Sequence, residues 1–130
     1  MSEWDIELVK LWYEKSLKAY KTAKQLFKDE DYDATLNRTY YSAFYSVVAL
    51  LMSRNIKFKT HKSAKNMLHQ HFIQTGQLPV EFGKYYNEIF NYRQEADYEA
   101  VSEINPESIP MLLEILDKFI KEIRNLLPIC

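Results

Sequence analysis

The chain has 130 residues, 47% of them apolar, enough for one packed core without disulfide or metal support. Its 17 Lys and Arg against 18 Asp and Glu give a formal charge of −1, which excludes a broad basic field gripping nucleic acid across a whole face, so any RNA or nucleotide contact has to be local. The one cysteine, Cys130, excludes an intrachain disulfide and a Cys-based metal cluster, no apolar run reaches the ~20 residues of a membrane span, and the start MSEWDIELVK lacks the pattern of a signal peptide.

A single cytoplasmic domain over residues 1–130 is the expectation. Only two glycines are present, too few for many tight hairpins, and this favours helices. Ten tyrosines each need a wet or bonded hydroxyl, which suggests a tyrosine-lined groove or interface.

From Ile6 to Phe27, the residues Ile6, Val9, Trp12, Tyr13, Leu17, Tyr20, Ala23 and Phe27 recur every three or four positions and predict a first helix with one buried stripe. The acidic DEDY at 29–32 breaks it, and Asp31 is placed to cap a second helix running to about Ser53. Arg54 to Lys59 is a connection, and Thr60 caps a third helix carrying Ala64, Met67, Leu68 and Phe72 to about Thr75.

Gly76 ends that helix, and Pro79 opens a fourth that buries Phe82, Tyr86 and Ile89. Its period weakens near Asp97, where DYEAVSEIN leads to the cap pair Asn105-Pro106; Pro110 either kinks the fifth helix or moves its start later. Leu112, Leu113, Leu116, Phe119, Ile120, Ile123 and Leu127 form its dense stripe. The sum is an all-α, antiparallel up-and-down bundle of about five helices.

The second helix is apolar nearly all round. Leu36, Tyr40, Phe44, Val47 and Leu51 make one stripe, while Arg38, Tyr41, Tyr45, Val48 and Met52 make another. Two arrangements cover both: the helix is central within its own bundle, or the Arg38, Tyr41, Tyr45 stripe meets the same stripe of a second copy as a homodimer.

The segments NRTYYSAFYSVVALL, KTHKSA and YRQEADYE, in this order in a small helical chain, resemble the HEPN family, with the likeness running from Trp12 to Leu127. It is most similar to the stand-alone prokaryotic branch. The resemblance implies an up-and-down bundle, commonly a homodimer, often encoded with a small nucleotidyltransferase as in toxin–antitoxin pairs, and associated with nucleotide binding or, in toxin members, with metal-independent RNA cleavage.

The family's RNases carry an arginine followed four to six residues later by a histidine. Here Arg93 is followed five residues on by Tyr98, and Arg38 seven residues on by Tyr45. Tyrosine ordinarily ionises near pH ~10 and histidine near ~6.5, so a phenol is the poorer proton carrier, although it can still bond a phosphate oxygen beside a guanidinium.

The leading expectation is therefore a non-catalytic module binding a nucleotide, an RNA or a partner nucleotidyltransferase. Its ligand-binding candidates are Arg38, Tyr41, Tyr45, His61, Arg93, Asp97 and Tyr98, with Arg93 and Tyr98 the catalytic candidates if the protein is instead an endoribonuclease; a plain interaction scaffold is the third reading. Arg93 has Asp97 one turn on as its expected ion-pair partner, and Arg38 has either Asp31 or Asp33 or a place in a cleft with Tyr41 and Tyr45.

His61, His69 and His71 lack the i, i+4 spacing of a helical metal site, and no metal or other cofactor is implied. Lys57, Lys59, Lys62 and Lys65 cluster around the Thr60 cap as a local basic patch or a solvated face.

Overall fold

The computed structural model describes residues 3–98 and 105–129, with the backbone alone at 3–4 and 94–98. Five helices follow one another: α1 (Glu3–Lys28), α2 (Tyr32–Ser53), α3 (His61–Leu68), α4 (Val80–Tyr98) and α5 (Ile109–Leu126), with no strand among the described residues.

The caps behave as their chemistry dictates. The Asp31 carboxylate accepts from the Ala34 amide, and Thr60 and Ser63 form a reciprocal capping box that starts α3 at His61. Asn105 caps a short 3-10 turn, Pro106–Ser108, so the start of α5 moves later and Pro110 falls in its first turn, where a missing N–H costs nothing.

The third helix does not run evenly to Thr75. After Leu68 it widens into a π-turn, His69–Ile73, closed by the Gln74 amide donating to the His69 carbonyl, and Gly76 then reverses the chain at φ +79. Gly83 of α4 leaves room for that turn, because a Cβ there would sit 2.8 Å from His69 Cε1 and 3.2 Å from Ile73 Cγ2. The His69 ring is held in place by Nε2 bonding Asn87 Oδ1 at 2.9 Å.

The second helix is the centre of the bundle, packing against α1, α3, α4 and α5. Tyr40, Val47, Leu50 and Leu51 are fully buried in the common core with Tyr86, Phe119, Leu116 and Ile123. The face turned to α1 is made of small and hydroxylic residues, Thr35, Thr39, Ser42, Ala43 and Ser46, all buried. Thr35, Thr39 and Ser46 hydroxyls donate to carbonyls of their own chain three or four residues back, which lets polar side chains sit in the interior.

Ser42 instead reaches across: its hydroxyl donates to the Ser16 carbonyl at 2.8 Å, and the Ser16 hydroxyl donates to the Ser42 carbonyl at 2.6 Å. This reciprocal pair fixes α1 against α2. Tyr13 and Tyr85 donate to the Ile120 and Leu112 carbonyls and tie α1 and α4 to α5.

The expected stripe of α5 is buried as read from the sequence. In α2, Leu36, Tyr40, Val47 and Leu51 of the first stripe are buried and Phe44 is half-buried, whereas in the second stripe only Val48 is buried and Arg38, Tyr41, Tyr45 and Met52 are half-buried. In α4, however, Phe82 is only half-buried while Tyr85 and Phe90 join Tyr86 and Ile89 in the core. Most of DYEAVSEIN, as well as Cys130, lies outside the described residues.

Candidate functional site

Three elements converge on the first half of α2. Arg38 and Tyr41 lie one turn apart on the same face, α4 brings Arg93, and the capped start of α3 brings His61.

The Arg38 guanidinium stands 4.9 Å from the centroid of the Tyr41 ring, and that of Arg93 stands 5.8 Å from the same ring and 5.6 Å from Tyr40. Arg93 Nη2 also donates to the Tyr41 hydroxyl at 3.4 Å. Two guanidinium groups thus stand against one half-buried phenol, whose ring and hydroxyl orient them.

Arg38 was expected to pair with Asp31 or Asp33 or to lie in a cleft with Tyr41 and Tyr45. It pairs with neither acid: its Nε and Nη2 both donate to Asn37 Oδ1, at 3.1 and 2.9 Å, and it lies over Tyr41. That neutral acceptor orients the guanidinium without cancelling its charge, and it leaves Nη1 without a protein acceptor among the described residues.

His61 completes the cluster. Its Nδ1 lies 2.8 Å from the Tyr40 hydroxyl, its ring stacks 4.3 Å from Phe44, and its edge meets Tyr41 at 5.7 Å. Burial pushes the Tyr40 phenol up to about 12, an effect that the Tyr86 hydroxyl and the Arg93 charge only partly offset.

The neutral Tyr40 phenol and His61 Nδ1 thus share one hydrogen bond, in which the imidazole tautomer sets which of them donates. Tyr86, buried beneath Tyr40, is raised well above 10 by desolvation. One turn beyond His61, the Lys65 ammonium sits 4.5 Å over Phe90 and adds a further cation to this end of the bundle.

Of the residues singled out from the sequence, Arg38, Tyr41, His61 and Arg93 thus come together. Tyr45 lies one turn further along α2, touching Tyr41 at 5.7 Å but facing Trp12 at the same distance and Lys15 at 4.8 Å. Asp97 and Tyr98 belong to the last turn of α4, where side chains lie outside the described residues.

Tyr40 and Phe44, read only as members of one apolar stripe of α2, link His61 to Tyr41 and, through Tyr40, to Arg93. No local signal could reveal a contact across 21 residues. His69 bonds Asn87, away from this cluster, and no group of three His, Cys, Asp or Glu among the described residues could hold a metal ion.

Comparison with known proteins adds the following. The family model of the HEPN domain matches residues 9–126. A Methanocaldococcus jannaschii protein named "Putative toxin MJ0142" is 44% identical over 107 residues, covering 82% of this chain and 72% of that relative. A second from the same organism, "Putative toxin MJ0605", is 32% identical over 107 residues, 78% of this chain and 80% of the relative. A Thermotoga maritima "UPF0332 protein" is 29% identical over 121 residues, 93% and 92% of the two chains.

Proposed function

Because the chain belongs to the HEPN domain family, we propose that it is a toxin-type member whose Arg38, Tyr41 and Arg93 cluster binds the phosphodiester backbone of RNA. The observation that carries this is the pair of guanidinium groups around one phenol. An RNA phosphate would accept charge-assisted bonds from the Nη1 edge of Arg38 and from Arg93, with the Tyr41 hydroxyl a further donor.

The names of the two archaeal relatives support the toxin reading. The family likeness further implies a small nucleotidyltransferase as the neutralising partner, and a homodimer that would set two such clusters across one cleft; a solution mass tests the second point.

A second reading, metal-independent RNA cleavage, is favoured by His61. The proton carrier missing from the Arg93 frame is supplied in space by another helix, held 2.8 Å from Tyr40. In this reaction the 2′-oxygen bonds to the adjacent phosphorus as a base takes its proton, the bond from phosphorus to the 5′-oxygen breaks, and an acid returns a proton to that oxygen. The guanidinium groups stabilise the charge on the phosphoryl oxygens.

Purified protein mixed with tRNA at low salt separates these readings. Retention of intact tRNA, lost in Arg93→Ala, is the result expected for binding. Fragments ending in 2′,3′-cyclic phosphate, absent with His61→Ala although that variant still retains tRNA, establish cleavage. No retention and no fragments would sink both.

A further inference from the structure

Beside the cluster, α1 and α2 enclose a groove of about 310 Å³ lined by Lys15, Lys18, Ala19, Thr22, Arg38 and Tyr45. This falls at the small end of ligand pockets, typically ~300–1,000 Å³. Three cations line it, and no carboxylate does so among the described residues, in a chain whose formal charge is −1. The groove between α4 and α5, by contrast, sets Glu81 and Glu88 around Lys84.

The floor is firm, because the reciprocal Ser16 and Ser42 bonds and the buried Ala19 hold the two helices at close approach. The Lys15 ammonium rests 4.5 Å over Trp12 and 4.8 Å over Tyr45. Its charge is thus oriented by rings but not neutralised.

We propose that this groove is the RNA-strand subsite next to the Arg38, Tyr41 and Arg93 cluster: Lys15, Lys18 and Arg38 take a neighbouring phosphate, and the Tyr45 ring takes a base. Arg38 belongs to both places, lining the groove while its guanidinium lies over Tyr41, so one strand can pass from one to the other without leaving positive surface. The aromatic lining decides the ligand class. An acidic peptide needs only the cations, whereas a nucleotide uses a phosphate site with a ring face beside it, and Tyr45, 5.7 Å from Trp12, lines this groove. The proposal rests on the RNA reading above.

The test is anisotropy of a labelled oligouridylate of about eight nucleotides, titrated at several salt concentrations. Each single-strand phosphate contact contributes about 0.7 to the slope of log affinity against log salt, so Lys15→Gln/Lys18→Gln, which loosens the hold on one phosphate, should flatten the slope by up to about 0.7. Lys10→Gln/Lys121→Gln, which removes the same charge from ion pairs with Glu7 and Asp117, should leave the slope unchanged.

Equal flattening by both pairs, or no flattening by Lys15→Gln/Lys18→Gln while Arg93→Ala weakens binding, overturns the groove and leaves the cluster standing. Flattening with no effect of Arg93→Ala supports the groove and overturns the cluster. Competition by polyglutamate as strong as by RNA overturns the assignment to RNA, and no binding by the unaltered protein overturns both.

Discussion

Replacing Tyr40 by Phe removes one oxygen from the centre of the bundle and keeps the ring that packs on Phe44, Tyr86 and Phe90. Near neutral pH the variant loses the 2.8 Å bond to His61 Nδ1, at a cost of about 1 kcal/mol. The same oxygen is a liability in alkali. Because burial raises the Tyr40 phenol from about 10 to about 12, the folded state holds a proton that the unfolded state releases first.

The Tyr40 contribution is therefore complete below pH ~10 and is lost as pH climbs towards ~12: about 1.4 kcal/mol is gone at pH ~11, and about 2.7 once both states have ionised. Tyr85 and Tyr86, also raised by desolvation, are present in both proteins and cancel in the difference. Urea unfolding should thus find Tyr40→Phe less stable by about 1 kcal/mol at pH ~8, equal to the unaltered protein near pH ~10.7, and slightly more stable at pH ~11. A deficit that stays constant across this range would refute the reasoning, since it would mean that the phenol titrates alike in both states.

Three further outcomes follow from the packing. Gly83→Ala gains up to about 1 kcal/mol of helix propensity but drives a Cβ into the His69 ring held by Asn87, so net destabilisation of about 1 to 2 kcal/mol is expected in urea. Adding His69→Ala should abolish most of that penalty, and an equal penalty in both backgrounds would count against the contact. Ser42→Ala removes one of the two bonds between α1 and α2 and should cost about 1 kcal/mol, with Ser16→Ala non-additive in a double-mutant cycle; simple additivity would mean that the two bonds do not act together. Thr60→Ala should cost about 1 kcal/mol through its lost cap and also perturb the imidazole signals of His61 in NMR spectra, whereas unchanged signals would show that the cap does not position the ring.

The helices were legible because their ends carry specific chemistry. Asp31 and Thr60 announce caps, Asn105-Pro106 an approach turn, and the Leu112 to Leu127 stripe a buried face. The central place of α2 was only half legible. Its two apolar stripes stood out, but the face that meets α1 is written in Thr and Ser, residues that look like surface until their hydroxyls are seen bonding backbone carbonyls. The π-turn was hidden because the residue that leaves room for it, Gly83, lies ten residues after Ile73.

Arg38, Tyr41 and Arg93 could be picked out by residue type and by the family likeness. Their meeting, 52 residues apart for Tyr41 and Arg93, and the grouping of Lys15, Trp12 and Tyr45 across two helices are tertiary facts that periodicity does not encode. His61 was singled out within the KTHKSA segment of the family likeness, while its partner, Tyr40, stood only as one member of an apolar stripe.

The most direct test of the account is an RNA-binding isotherm at fixed low salt for the unaltered protein and for Arg38→Ala, Arg93→Ala and their combination. A lost charge-assisted contact to phosphate is worth about 1.5 to 3 kcal/mol, so each single variant should bind at least about tenfold more weakly, and the pair should bind more weakly still. Affinity that survives both substitutions in a protein still folded by circular dichroism would contradict the claim that the guanidinium groups around Tyr41 hold the RNA.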